Sequence, residues 1–237
     1  MKKQLLLMFL LCANMSFAQN IEKYTFPMMP GDDEWKAISH PKRLKVLNIE
    51  QEELKNLSNI QLIGACHDYP YTINIFAFNN YDEGYLNVYN NFNGLRELHR
   101  RSNIGEDLVD FYSNMSTGGF KVKYMLYNKY FNQLKLVFFE VLLTKEDILT
   151  KFTNNQKQKL VEACVEKYYE KEKNTRTFEG EAIFSNSNKK LSLVIACRLI
   201  LLDGDEKNKI SAIQFLKSDT FNKDAIENII LISRNLY

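Results

Sequence analysis

The sequence predicts an all-α fold: an irregular multi-helix array in a single domain, with solenoid-like helix pairs as one form of it. Three observations carry this. All four prolines (Pro27, Pro30, Pro41 and Pro70) lie early, and the chain after Pro70 has none; proline removes a backbone donor and clashes inside a helix, so a long proline-free stretch suits helices. Apolar residues recur at three- and four-residue steps, as on one face of a helix. No strand-rich block bounded by hairpin turns is present.

In chain order, residues 1–18 read as a secretory signal peptide. Lys2 and Lys3 precede the apolar run Leu5–Leu11, and Ser16-Phe17-Ala18 places small residues at a cleavage site before Gln19. The run is shorter than the roughly 20 residues that span a bilayer. Lipidation at Cys12 is the rival reading, but Leu11 stands where a lipoprotein signal wants a small residue. The Phe-Ala-Gln ending resembles signal peptides of the Bacteroidota. The expected location is therefore periplasmic or extracellular, with cleavage after Ala18. Residues 19–31 form an irregular lead, and residues 32–237 the helical domain. No later segment is long and apolar enough for a transmembrane helix.

Helix starts follow from capping chemistry. Ser39 precedes His40-Pro41, a start with proline in the first turn. Ser58-x-x-Gln61 and Thr153-x-x-Gln156 match the capping box, and Thr144-x-x-Asp147 is a looser version. Stops are expected at Pro70, at Gly94 after Phe92, and at Asp203-Gly204. Leu160, Val161, Cys164, Val165 and Tyr168 share a helix face, as do Ile226, Ile229, Ile230 and Ser233. Tyr124, Tyr127, Phe131, Leu134 and Phe138 step through Phe120–Leu143 in the same way. Leu191–Leu202 is apolar on most sides and reads as the central buried helix, with a buried strand as its alternative. Asn186–Asn188 and Glu172–Thr177 are polar loop candidates. No repeat of fixed length emerges.

Composition excludes some function classes. Removing Lys2 and Lys3 from 31 basic residues leaves them equal to the 29 acidic ones, and a nucleic-acid partner is not expected without a basic excess. With Cys12 in the leader, Cys66, Cys164 and Cys197 remain. An odd, small number is no disulfide framework, and buried free thiols are expected. No C-x-x-C occurs, and no two histidines share a helix face at metal-ligand spacing, so no cofactor or metal is expected.

Residues 28–113 carry Met29-Pro30-Gly31-x-x-Glu34-Trp35, Tyr69-Pro70, Ala77-Phe78-Asn79 and Phe92-Asn93-Gly94-Leu95-Arg96-Glu97-Leu98, followed later by Ala196-Cys197-Arg198-Leu199-Ile200. In these segments the chain resembles a family of secreted helical proteins of gut Bacteroidota. The resemblance implies export and an all-helical fold. It implies no activity, and no catalytic residue is carried over from it.

Candidate chemistry is sparse. Cys66-His67-Asp68 has the residue types of nucleophile, base and orienter, but adjacent helical residues do not face each other. His99, in Arg96-Glu97-Leu98-His99-Arg100-Arg101, reads as a basic helix terminus, with an anion contact as the alternative. Asp203-Gly204-Asp205 resembles the opening of a calcium loop, but Asn208 and Gln214 stand where glycine and glutamate are required; an aspartate N-cap explains it. The aromatic run from Tyr69 to Phe92 reads first as core. Its alternative is a binding surface of Tyr69, Tyr71, Tyr81, Tyr85 and Tyr89 with interleaved asparagines. Arg198, inside the apolar run, is expected to be a buried structural charge paired with a carboxylate, because guanidinium cannot escape burial by deprotonation. An anion-binding arginine in a pocket is the alternative.

Three functions compete. The first is a non-enzymatic exported protein that binds another macromolecule of the envelope or extracellular space. The second is a glycan- or peptide-acting hydrolase using paired carboxylates such as Asp32, Glu34 or Asp68. The third is a carbohydrate-binding module built on the tyrosines.

Overall fold

The proline-containing part of the chain folds as short helices, and the remainder holds the longest helices together with further short ones. The computed structural model describes residues 23–117, 126–174, 186–218 and 222–237. Four short helices come first: α1 (Asp33–Ala37), α2 (His40–Val46), α3 (Gln51–Asn56) and α4 (Asn59–Asp68). A 3-10 helix (Pro70–Phe76) leads to α5 (Tyr81–Asn91), α6 (Asn93–Arg100) and α7 (Gly105–Asn114). Then come α8 (Leu126–Leu142), α9 (Glu146–Leu149), α10 (Asn154–Asn174), α11 (Asn186–Asp203), α12 (Glu206–Lys217) and α13 (Lys223–Arg234). The described residues contain no strand, and the fold is all-α. No helix among them is long and apolar enough to cross a membrane.

Local chemistry sets most boundaries. The Ser58 hydroxyl accepts from Gln61 N–H while the Gln61 side chain accepts from Ser58 N–H, a complete capping box. Thr153 and Gln156 reciprocate in the same way at the start of α10. Asp205 caps α12 by accepting from Asn208 N–H. Pro41 sits in the first turn of α2, and Pro70 ends α4. Three expectations need correction. Thr144 and Asp147 form no box: Thr144 donates back to the Val141 carbonyl, Lys145 precedes α9, and Asp147 turns to His99. The break between α5 and α6 falls at Phe92, whose extended backbone ends one helix, while Gly94 lies inside the next. Asn186–Asn188 opens α11 rather than forming a loop, and Glu172–Asn174 continues α10. Residues 1–22, where the signal peptide is expected, Tyr124 and residues 175–177 lie outside the described residues, as do the side chains of Tyr127 and Phe131.

α11 is the hub, packed against α8, α9, α10, α12 and α13. Leu193, Ile195, Ala196, Cys197, Leu199 and Ile200 are fully enclosed there. The array is therefore wrapped around one helix as well as stacked in sequence-neighbour pairs. Cys66, Cys164 and Cys197 are buried and free; burial pushes the Cys197 thiol up to about 12 and raises the other two further.

At the other end, the lead is irregular yet anchored. Tyr24 and Phe26 are buried, with Phe26 against Tyr69 and Phe92. α5 lies on the 3-10 helix so closely that a Cβ at Gly84 would sit 2.4 Å from the Ile75 carbonyl oxygen. Only glycine permits that approach.

Candidate functional site

The aromatic segment is core, which corrects the tyrosine surface. Tyr69 and Tyr85 are buried, Tyr69 stacked on Phe92 at 4.2 Å and Tyr85 on Phe138 at 5.6 Å. Tyr71, Tyr81 and Tyr89 are half-buried and engaged separately: Tyr71 with His40, Tyr81 with Asn188, Tyr89 with the His99 ring. The interleaved asparagines serve the backbone. Asn80 caps α5, and Asn93 accepts from Ile49 N–H and donates to Ile49 carbonyl. A flat aromatic platform needs ring faces in solvent, and these rings pack against Phe92, Trp35, Phe76, Phe138 and His99.

Among the described residues, three clusters of titratable groups resemble catalytic sets or border an open cleft, and each is tied internally. Cys66-His67-Asp68 does not assemble as a catalytic set. His67 Nδ1 does reach Asp68 Oδ1 at 2.9 Å, because Asp68 ends α4, but Cys66 turns into the core. Asp68 also takes Lys135 at 2.9 Å and Lys23 at 2.5 Å. Burial raises its carboxyl, and the hydrogen bonds from His67, Lys23 and Lys135 overcome that and hold it well below the carboxylate range. A catalytic acid needs the opposite shift.

The second cluster is a buried ion pair that sequence reading missed. Glu140 and Lys171 are fully enclosed, 2.5 Å apart. Glu140 also accepts from Ser192 at 2.6 Å and Tyr112 at 3.1 Å, and Lys171 donates to Ser192 Oγ and the Asn188 carbonyl. Burial lowers the Lys171 pKa against the pull of Glu140. Ser192 beside Lys171 matches a serine–lysine nucleophile pair in residue type, but neither atom reaches solvent, so the cluster joins α7, α8, α10 and α11 instead. Its signals were in the sequence: Glu140 is the one charge in Leu136–Leu143, and Lys171 extends the Cys164–Tyr168 face by three residues.

The third cluster borders an open cleft of about 810 Å³. His99 Nδ1 lies 2.5 Å from Asp147 Oδ2, and its Nε2 lies 2.5 Å from the Tyr85 hydroxyl. A carboxylate only accepts, so Nδ1 carries a proton donated to Asp147, and neutral Nε2 accepts from Tyr85. Desolvation lowers the His99 pKa from 6.5, with Lys151 and Lys145 assisting and Asp147 opposing. Both ring nitrogens are thus occupied, and the relay holds α6 to α9 instead of moving a proton to a ligand.

The cleft itself lies between α9, α11 and the start of α5. α9 and its flanks supply Lys145, Glu146, Asp147, Leu149 and Thr150; α11 supplies Arg198, Leu201 and Leu202; α5 supplies Asp82. Lys145 pairs with Asp82 at 2.5 Å and lies over the Tyr85 ring. Arg198 corrects the expectation of a buried charge. Its neighbours Cys197 and Leu199 are buried, but Arg198 is exposed and no carboxylate among the described residues pairs with it. Val194, Arg198, Leu201 and Leu202 form the open stripe of α11, at three- to four-residue steps. A helix that is buried on most sides still has one face over a cleft, and arginine occupies it.

Asp203 and Asp205 are likewise structural. Asp203 accepts from Lys157 at 2.6 Å and Tyr237 at 2.5 Å, and Asp205 is the cap of α12. Compared with known proteins, the chain matches no family model, no curated protein and no solved structure.

Proposed function

We propose that this chain is an exported, non-enzymatic helical protein that binds another macromolecule in the cleft between α9 and α11. The carrying observation is a contrast in saturation. The titratable clusters that resemble catalytic sets are closed on themselves, whereas the cleft presents Arg198 and Glu146 without side-chain partners among the described residues, beside half-buried Leu201 and Leu202. Concave, partly apolar surfaces with a few free polar groups are what binding sites need. The signal-peptide anatomy of residues 1–18 and the resemblance to secreted helical proteins support export, and the balanced charge speaks against nucleic acid as the partner. The hydrolase reading loses support because Asp68 is held ionised and Asp32 accepts from Met29 N–H at 2.7 Å.

The test is site-specific photo-crosslinking in the producing cell. A photoreactive residue at Thr150, exposed in the cleft, is expected to yield a discrete adduct that the same residue at Leu231, exposed on α13, does not. Equal adduct patterns at both positions would remove the cleft from the function.

A further inference from the structure

We infer that the cleft takes an acidic–apolar polypeptide segment, with one ligand carboxylate on Arg198 and apolar side chains on the half-buried Leu201 and Leu202. This rests on the binding reading above and names the chemistry of what is bound.

The first support is the treatment of arginine throughout the molecule. Among the described residues, the other arginines each hold a protein oxygen. Arg43 donates to the Trp35 carbonyl, Arg96 to those of Tyr89 and Asn90, Arg100 and Arg101 to Glu97, and Arg234 to Glu162. Arg198 alone has no such partner. It cannot discard its charge, and its planar fork of donors matches a carboxylate in bidentate geometry.

The rest of the lining selects among carboxylate carriers. Glu146 is unpaired in the same cleft, and Asp147 hydrogen-bonds to a neutral imidazole, so negative charge stands close to Arg198. A densely charged polyanion would meet more like-charge repulsion from Glu146 and Asp147 than a single carboxylate that pairs with Arg198 does. No aromatic ring lines the cleft to stack on a sugar face. Its apolar floor is leucine, which suits aliphatic side chains. Lys145 is held by Asp82 and Tyr85, which leaves Arg198 as the cation free to pair. One acidic residue among apolar ones satisfies all of these, and a peptide supplies that pattern most directly.

The test is selection of a displayed random-peptide library on the purified protein, with Arg198→Glu and Arg198→Lys proteins in parallel. Arg198 is exposed and unpaired, so both variants should melt with the wild type. Selected peptides should carry aspartate or glutamate beside aliphatic residues. Changing that residue to its amide should weaken binding about tenfold, the scale of one charge-assisted contact. Arg198→Glu should abolish binding, and Arg198→Lys, which keeps charge but loses the fork, should fall between. Selected peptides without a carboxylate, or peptides that bind Arg198→Glu equally well, overturn the inference. So does enrichment of no peptide when a uronic-acid oligosaccharide binds the same protein. A cleft-specific adduct at Thr150 with a carboxylate-free partner would leave the binding reading standing and this inference fallen.

Discussion

Lys171 and Arg198 lie on packed neighbours, α10 and α11, and their surroundings are opposite. Lys171 comes from a charged stretch, Tyr168-Tyr169-Glu170-Lys171-Glu172-Lys173, and is fully enclosed against Glu140, Ser192 and the Asn188 carbonyl. Arg198 comes from the apolar run Leu191–Leu202 and stands in an open cleft. The difference teaches that helix phase decides burial, and that the average polarity of a segment does not. Tyr168 and Lys171 continue the face of Cys164, which points inward. Val194, Arg198 and Leu201 share the less buried face of α11. An enclosed charge must be compensated by the fold, whereas an open one remains available to a ligand.

The largest expected effect breaks the enclosed half of this comparison. Lys171→Met leaves Glu140 uncompensated, which typically costs about 3–5 kcal/mol and should lower the melting temperature by about 10 °C in a domain of this size. Adding Glu140→Leu should restore part of the loss, though Tyr112 and Ser192 then lack their acceptor. Urea denaturation of both variants measures this. A single variant that loses less than about 1 kcal/mol would mean the pair is solvated.

A second substitution probes the wall that carries Asp82 and Tyr85. Gly84→Ala forces α5 off the 3-10 helix, because its Cβ would sit 2.4 Å from the Ile75 carbonyl oxygen. Such overpacking costs about 1–3 kcal/mol. Since α5 holds Lys145 through Asp82, the variant should also lose peptide binding disproportionately. Stability equal to wild type would show that α5 tolerates a shift.

Much of the fold was legible because local chemistry dictated it. The Ser58 and Thr153 boxes, the Asp205 cap, the stop at Pro70 and the helical Leu191–Leu202 all rest on interactions within a few residues, which the sequence displays directly. The site was less legible. An isolated charge in an apolar run is buried and paired at Glu140, whereas at Arg198 it is exposed. Both runs are helical, and what separates them is which face the neighbouring helices leave open. That depends on packing between segments distant in the chain. The Asp147–His99–Tyr85 relay joins residues 48 and 14 positions apart, which no spacing reveals.

That relay predicts a pH dependence on the cleft side. The His99 pKa is lowered on folding by burial, with Lys151 and Lys145 assisting. The unfolded chain therefore binds its proton first as pH falls. The contribution of His99 is fully present above its unfolded value of about 6.5 and is lost as pH falls from there through the folded value. Wild type should lose more stability between pH 7 and pH 5 than His99→Gln, in thermal melts at matched ionic strength. Identical slopes would mean the imidazole is solvated or protonated throughout.

The smallest expected effect is Arg198→Met, the counterpart of Lys171→Met one helix away. Arginine and methionine have similar helix propensity, and no protein partner is lost because Arg198 has none among the described residues. Leu201 and Leu202 stand three and four residues on, the helical spacing at which a methionine side chain at 198 can pack. Stability should therefore stay within about 0.5 kcal/mol of wild type, as for surface substitutions in general. Peptide binding should nevertheless be lost, because the carboxylate then has no fork to meet. The same exchange of a cation for methionine would thus unfold one site and silence the other. A fall of several degrees in the melting temperature of Arg198→Met would place that arginine in the service of the fold, and the two charges would no longer divide the work as their burial says they do.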